Sequence, residues 1–205
     1  MEGQVGKVYI LRRFREAGYA LSTGEREAKL AQVAAARLEC GGRLLVSAAA
    51  RWSRHGIYGF GAEIFPDIES LQKHTEALEK LDWDRYVESE SFVGTPLIIN
   101  EPVYENPIYT LQLVQGGRDP AHTMPDEQFR DRIMDNVASA DAYGIRRLLR
   151  MGCRWSSEAY ALIQLFEWPS LEAQMKHIAF EEQAETPRLM SQTHILGVKA
   201  PSEGG

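Results

Sequence analysis

His74 and His177 lie 103 positions apart, each directly preceded by a lysine, Lys73 and Lys176. An imidazole titrates near neutrality, so either ring could accept a proton from a substrate or ligate iron. The spacing is shared by other residues. Arg51-Trp52-Ser53 recurs as Arg154-Trp155-Ser156, Pro66 as Pro169, Gly94 as Gly197, and Gly41 as Gly144. Tyr9 and Leu11 match Tyr109 and Leu111 at a spacing of 100, which places a three-residue insertion in the loop that follows. A repeat this long exceeds a solenoid unit and reads as two copies of a whole small fold in one chain.

The copies differ where a binding site would matter. Gly59 and Gly61 alternate on one face of a strand in the first copy, and their equivalents are Leu162 and Gln164. Glycine within a strand marks either space for a ligand or close approach of another backbone, and both readings stand. If the space is a pocket, the candidate residues are His74 as proton acceptor and Tyr9, Arg13, Gly59, Gly61 and Trp83 as substrate contacts. His177 is the secondary candidate. Tyr58 should face away from the glycines. Trp52 and Trp155 read as packing at the ends of strands, with Arg51 and Arg154 on the opposite face. The remaining histidines, His55, His122 and His194, have no partners at metal spacing, so no metal site is expected. Gly116-Gly117-Arg118-Asp119 lacks the Gly-Lys-Ser/Thr of a phosphate loop, and no nucleophile elbow occurs.

The elements that would position these residues follow from periodicity. Val8 to Phe14 alternates as a strand, and Glu25 to Glu39 forms an amphipathic helix stopped by Cys40-Gly41-Gly42. Leu44 to Trp52 and Ile57 to Phe65 form a hairpin. A second helix starts at Pro66-Asp67 and runs to about Leu81, with an apolar stripe through Ile68, Leu71, Thr75, Leu78 and Leu81 and with His74 at its edge. Val87 to Ile99 contains the fourth strand. The second copy gives the same order: Ile108–Val114, Asp126–Ala142, Ile145–Trp155, Ala159–Glu167, Ser170 to about Ala184, and Ser191–Val198. The order β-α-β-β-α-β is the split βαβ unit. Its helices cover one sheet face, so the other must be buried, and the sister sheet is the nearest cover. The expected fold class is therefore α+β: two tandem ferredoxin-like units (1–95 and 108–200), a proline-containing linker (96–107) and a disordered tail (201–205). Their four-stranded antiparallel sheets would pack face to face as an intramolecular α+β barrel, helices outside.

Composition narrows the partners. The chain has 205 residues, 44% apolar and 25% charged, with a net charge of −6. That balance argues against a nucleic-acid surface. No apolar run approaches the ~20 residues of a membrane span, and the polar start, Met1 to Lys7, lacks a signal-peptide core. A cytoplasmic protein is expected, monomeric or homodimeric, with Cys40 and Cys153 as buried free thiols.

Element order, repeat length and the second-helix histidine together resemble the dimeric α+β-barrel superfamily, over nearly the whole chain. That resemblance implies a site in the cleft between a sheet and its own helices. Members include antibiotic-biosynthesis monooxygenases, polyketide cyclases, muconolactone isomerases, haem-degrading monooxygenases and chlorite-dismutase-like proteins. Several that bind haem or enolise a substrate use a histidine on this helix. Three readings remain open. One is a cofactor-independent enzyme of monooxygenase, cyclase or isomerase type acting on an apolar or aromatic small molecule in the first-copy cleft. Another is a non-catalytic binding or structural barrel. The third is a haem protein using His74 or His177. The expected cofactor is none, with haem as the exception.

Overall fold

The computed structural model describes residues 3–51, 56–115, 142–153, 160–183 and 192–200. Its strands are β1 (Val5–Phe14), β2 (Arg43–Ala50), β3 (Gly59–Phe65), β4 (Val87–Ile99), β5 (Ile108–Gln115), β6 (Arg146–Cys153), β7 (Tyr160–Trp168) and β8 (Gln192–Lys199). The described helices are α1 (Glu16–Tyr19), α2 (Thr23–Glu39), α3 (Ile68–Lys80), α4 (Trp83–Tyr86) and α5 (Leu171–Gln183). The helix expected over Asp126 to Ala142 lies, except for Ala142, outside the described residues, as do Trp52, Arg154, Trp155 and the 201–205 tail.

The strands close into one antiparallel barrel in the order β1-β3-β2-β8-β5-β7-β6-β4, with β4 returning to β1. The first four strands run β4-β1-β3-β2 and the last four β8-β5-β7-β6, the same pattern twice. Two four-stranded sheets packed face to face as a barrel were expected. Their edges join, with β2 paired to β8 and β4 to β6, so the halves share one continuous hydrogen-bond ladder. Closure satisfies backbone groups that an edge strand would leave unpaired. Alternate residues point inward, and Val8, Ile10, Phe60, Phe92, Leu111 and Leu165 fill the barrel.

Local signals set the helices over the first half. Ser22 caps α2: its hydroxyl accepts the Glu25 N–H at 3.4 Å, and the Glu25 carboxylate accepts the Ser22 N–H at 2.8 Å. The helix ends where Gly41 takes φ 71°, a left-handed conformation suited to glycine. The Asp67 carboxylate caps α3 by accepting the Ser70 N–H at 2.7 Å. Both helices lie against the outer face of the β4-β1-β3-β2 sheet, through Arg37, Leu71 and His74. Cys40 and Cys153 are free thiols, half-buried rather than buried.

Candidate functional site

Between that outer face and the helices lies a cavity of about 470 Å³, within the usual range for small-molecule pockets. Strand register orders its floor in three rows. Lys7 stands beside Glu63 on β3 and Val93 on β4; Tyr9 beside Gly61 and Ser91; Leu11 beside Gly59 and Ser89. The helices form the roof, with Leu30 and Val33 from α2 and Leu71, His74 and Leu78 from α3. Trp83 of α4 and the aromatic group of Phe14 and Tyr58 also line it, the latter beyond the Leu11 row. The Tyr58 hydroxyl lies 2.6 Å from that of Tyr19, and both rings meet Phe14 edge to face.

The Lys7 row is polar and closed. Glu63 is 3% exposed. One of its carboxylate oxygens accepts a hydrogen bond from Arg37 Nη1 at 3.1 Å; the other lies 3.5 Å from Lys7 Nζ and accepts no hydrogen bond. Arg37 sits in the last turn of α2, where a cation complements the helix dipole. His74 is fully buried, its ring 5.1 Å from that of Phe65. Neither Nδ1 nor Nε2 has a hydrogen-bond partner. Burial pushes its pKa down to about 4, with Glu63 opposing the shift and Lys7 and Arg37 adding to it. The ring is therefore neutral at pH 7, with one nitrogen able to accept a proton and the other able to donate one.

Tyr9, Gly59, His74 and Trp83 line the same cavity. His74 was expected at the edge of the apolar stripe and is fully buried, while Ile68, expected within the stripe, is exposed. Gly61 is not among the described lining residues. The space above it is occupied by the Tyr9 ring, so this glycine admits a side chain to the cavity wall rather than leaving a void. Arg13 points away and pairs with Glu88 at 2.7 Å, two-thirds exposed. Tyr58 was expected on the face opposite the glycines. It precedes β3 and turns its ring to Phe14, so it lines the cavity with Gly59.

His177 occupies the matching place in the second half, its ring against Trp168 at 5.3 Å and Tyr143 at 6.1 Å. There polar side chains meet on the outer sheet face. Gln164 donates to Gln112 at 2.6 Å, and Gln112 lies 3.1 Å from His194 Nε2. Sequence reasoning missed Lys7, Arg37 and Glu63. The three come from separate elements, β1, α2 and β3, so only the general rule that a buried charge needs a partner hinted at them.

The architecture has counterparts among solved structures. Chlorite dismutase from Candidatus Nitrospira defluvii, solved in complex with imidazole, superposes with a TM-score of 0.73 at 13% identity, covering 98% of this chain and 93% of the other. A protein provisionally assigned as a monooxygenase, from Fusobacterium nucleatum, superposes at 0.60 and 14% identity, covering 100% and 97%. The fold is an α+β barrel. At these identities the likeness concerns fold alone. No protein-family model and no curated protein sequence matches the chain. The expectation of a cofactor-free protein gains no support from these neighbours.

Proposed function

We propose that this chain is a small-molecule-binding α+β barrel of two fused ferredoxin-like units, and that its ligand occupies the first-half cavity with His74 as proton acceptor. The repeated strand order supports the fused-unit reading, as does the matching of His74 on Phe65 with His177 on Trp168. One observation carries the functional reading: a fully buried imidazole, both nitrogens without a hydrogen-bond partner, in the wall of a largely apolar cavity. Leaving a buried polar group unsatisfied costs on the order of 1–3 kcal/mol, and such groups mark places where a ligand, ion or water supplies the missing bond or where the group does chemistry. A neutral imidazole there can take a proton from a hydroxyl or an activated C–H, the step shared by cofactor-independent monooxygenases, cyclases and isomerases.

The test is binding of 2-naphthol, an aromatic hydroxyl of suitable size, followed by calorimetry. His74→Leu should weaken binding about tenfold, and Leu78→Trp, which fills the roof, should abolish it. Equal affinity in wild type and His74→Leu would remove His74 from the site.

Haem on a second-helix histidine, as in some proteins the sequence resembles, is the second reading. His74 offers iron a ring nitrogen without a hydrogen bond. Yet a ligating imidazole almost always donates its other N–H to an acceptor that orients it, and neither His74 nitrogen has one. On that observation His74 does not fit an axial ligand. A haemin titration giving a Soret shift that His74→Leu abolishes would reverse this.

A further inference from the structure

The cavity is polarised along its length, and the polarity specifies one end of the ligand. The rows on β1 place Leu11 and Gly59 toward the aromatic end, Tyr9 and Ser91 midway, and Lys7 and Glu63 at the closed end under His74. Two hydrogen-bonding groups at that end are incompletely matched. The Lys7 ammonium contacts the Glu63 carboxylate at 3.5 Å without a hydrogen bond, while Arg37 holds the same carboxylate at 3.1 Å. His74 has no hydrogen-bond partner at all. Lys7 and His74 line the same cavity. An ammonium carries three N–H donors and a neutral imidazole one. A group with two adjacent acceptor oxygens can take one N–H from each residue, which leaves the second imidazole nitrogen as the proton acceptor. A negative charge on it strengthens both bonds and is itself stabilised by the ammonium in surroundings of low dielectric. A cationic head has no place there, because Glu63 already faces two cations.

From this arrangement we infer that the ligand is an amphipathic organic anion, an apolar or aromatic body ending in one carboxylate, seated head-first with the carboxylate between Lys7 and His74. The inference rests on the first-half cavity being the ligand site. The body fills the part walled by Leu11, Leu30, Val33, Leu78 and Trp83, and its far end reaches the Phe14–Tyr58 aromatic group. Lys7 is the residue that selects charge.

The experiment compares 2-naphthoate with 2-naphthamide, which have the same ring body and similar head shape but differ in charge. Calorimetry at pH 7 should show naphthoate binding wild-type protein at least about tenfold more tightly than the amide, the value of one charge-assisted hydrogen bond. Lys7→Met should bring the two affinities together, and Lys7→Arg should keep the preference. If both probes bind wild type equally, or the amide binds better, the anionic head is wrong while the cavity remains the ligand site. If the preference survives in Lys7→Met, the assignment to Lys7 is wrong. If neither probe binds, the cavity reading and this inference fall together. The wild-type comparison stands even if Lys7→Met fails to fold.

Discussion

A buried imidazole couples folding to pH, and for His74 the direction is fixed by the cause. Burial lowers its folded-state pKa from 6.5 to about 4. Below about pH 6.5 the unfolded chain takes up a proton that the folded chain refuses until about pH 4. Stability contributed by this site is therefore complete above pH 6.5 and is lost as the pH falls through that window. The full loss is about 3 kcal/mol, at about 1.4 kcal/mol for each pKa unit. Urea titrations at pH 7 and pH 4.5 should show His74→Leu losing less stability on acidification, by on the order of 2–3 kcal/mol. The same pH dependence in both proteins would mean that His74 is solvated or hydrogen-bonded in solution. The same substitution is expected to weaken 2-naphthol, so one variant separates the energetic and the functional consequences of the bare ring.

At the scale of elements, β3 joins barrel and cavity. Its even-numbered residues, Phe60, Ala62 and Ile64, fill the barrel, while Gly59, Gly61 and Glu63 face the helices. A Cβ on Gly61 would collide with the Tyr9 ring and stand 2.7 Å from the Val46 carbonyl oxygen, which belongs to the ladder and cannot move freely. Gly61→Ala should thus destabilise the protein by about 1–3 kcal/mol and displace the Tyr9 ring, visible as reduced naphthoate affinity. Gly152 in β6 is the control. Among the described residues a Cβ there meets nothing within 4 Å, so Gly152→Ala should change stability by less than about 0.5 kcal/mol. Comparable losses at both positions would show that strand conformation, rather than packing on Tyr9, governs the glycine.

For the whole molecule, the connector between the halves is anchored beside one of the two closing seams. Glu167 is fully buried, and its carboxylate accepts the N–H groups of Val103 and Tyr104 at 3.0–3.1 Å, while the Tyr104 hydroxyl donates to the Gly144 carbonyl at 2.7 Å. The connector is thereby tied to β7 of the second half, beside the seam that pairs β4 with β6. Glu167→Ala would leave two N–H groups without their acceptor and should cost about 2–4 kcal/mol. Because the halves share their ladder at both seams, thermal unfolding should lower its midpoint as one transition. A two-step melt in this variant would mean that the seams contribute little to cooperativity.

Much of this is legible in the sequence because it follows from short-range rules. Strand alternation, the cap residues Ser22 and Asp67, the stop at Gly41 and the duplicated spacing are local properties of the chain, and they lead to an α+β barrel with His74 on the second helix. They cannot say which side chains meet. Whether edges join or remain free depends on the distance between β2 and β8, far apart in sequence. Arg13 and Tyr9 are equally good candidates on an isolated strand, and only the register with β4 sends Arg13 to Glu88 while Gly61 makes room for Tyr9. The charged row of Lys7, Arg37 and Glu63 comes from three separate elements, so no spacing reveals it. By itself the sequence determined the elements, their order and the histidine; tertiary packing decided that this histidine is bare, neutral and next to a lysine, because burial and partnership arise only when distant segments enclose the same space.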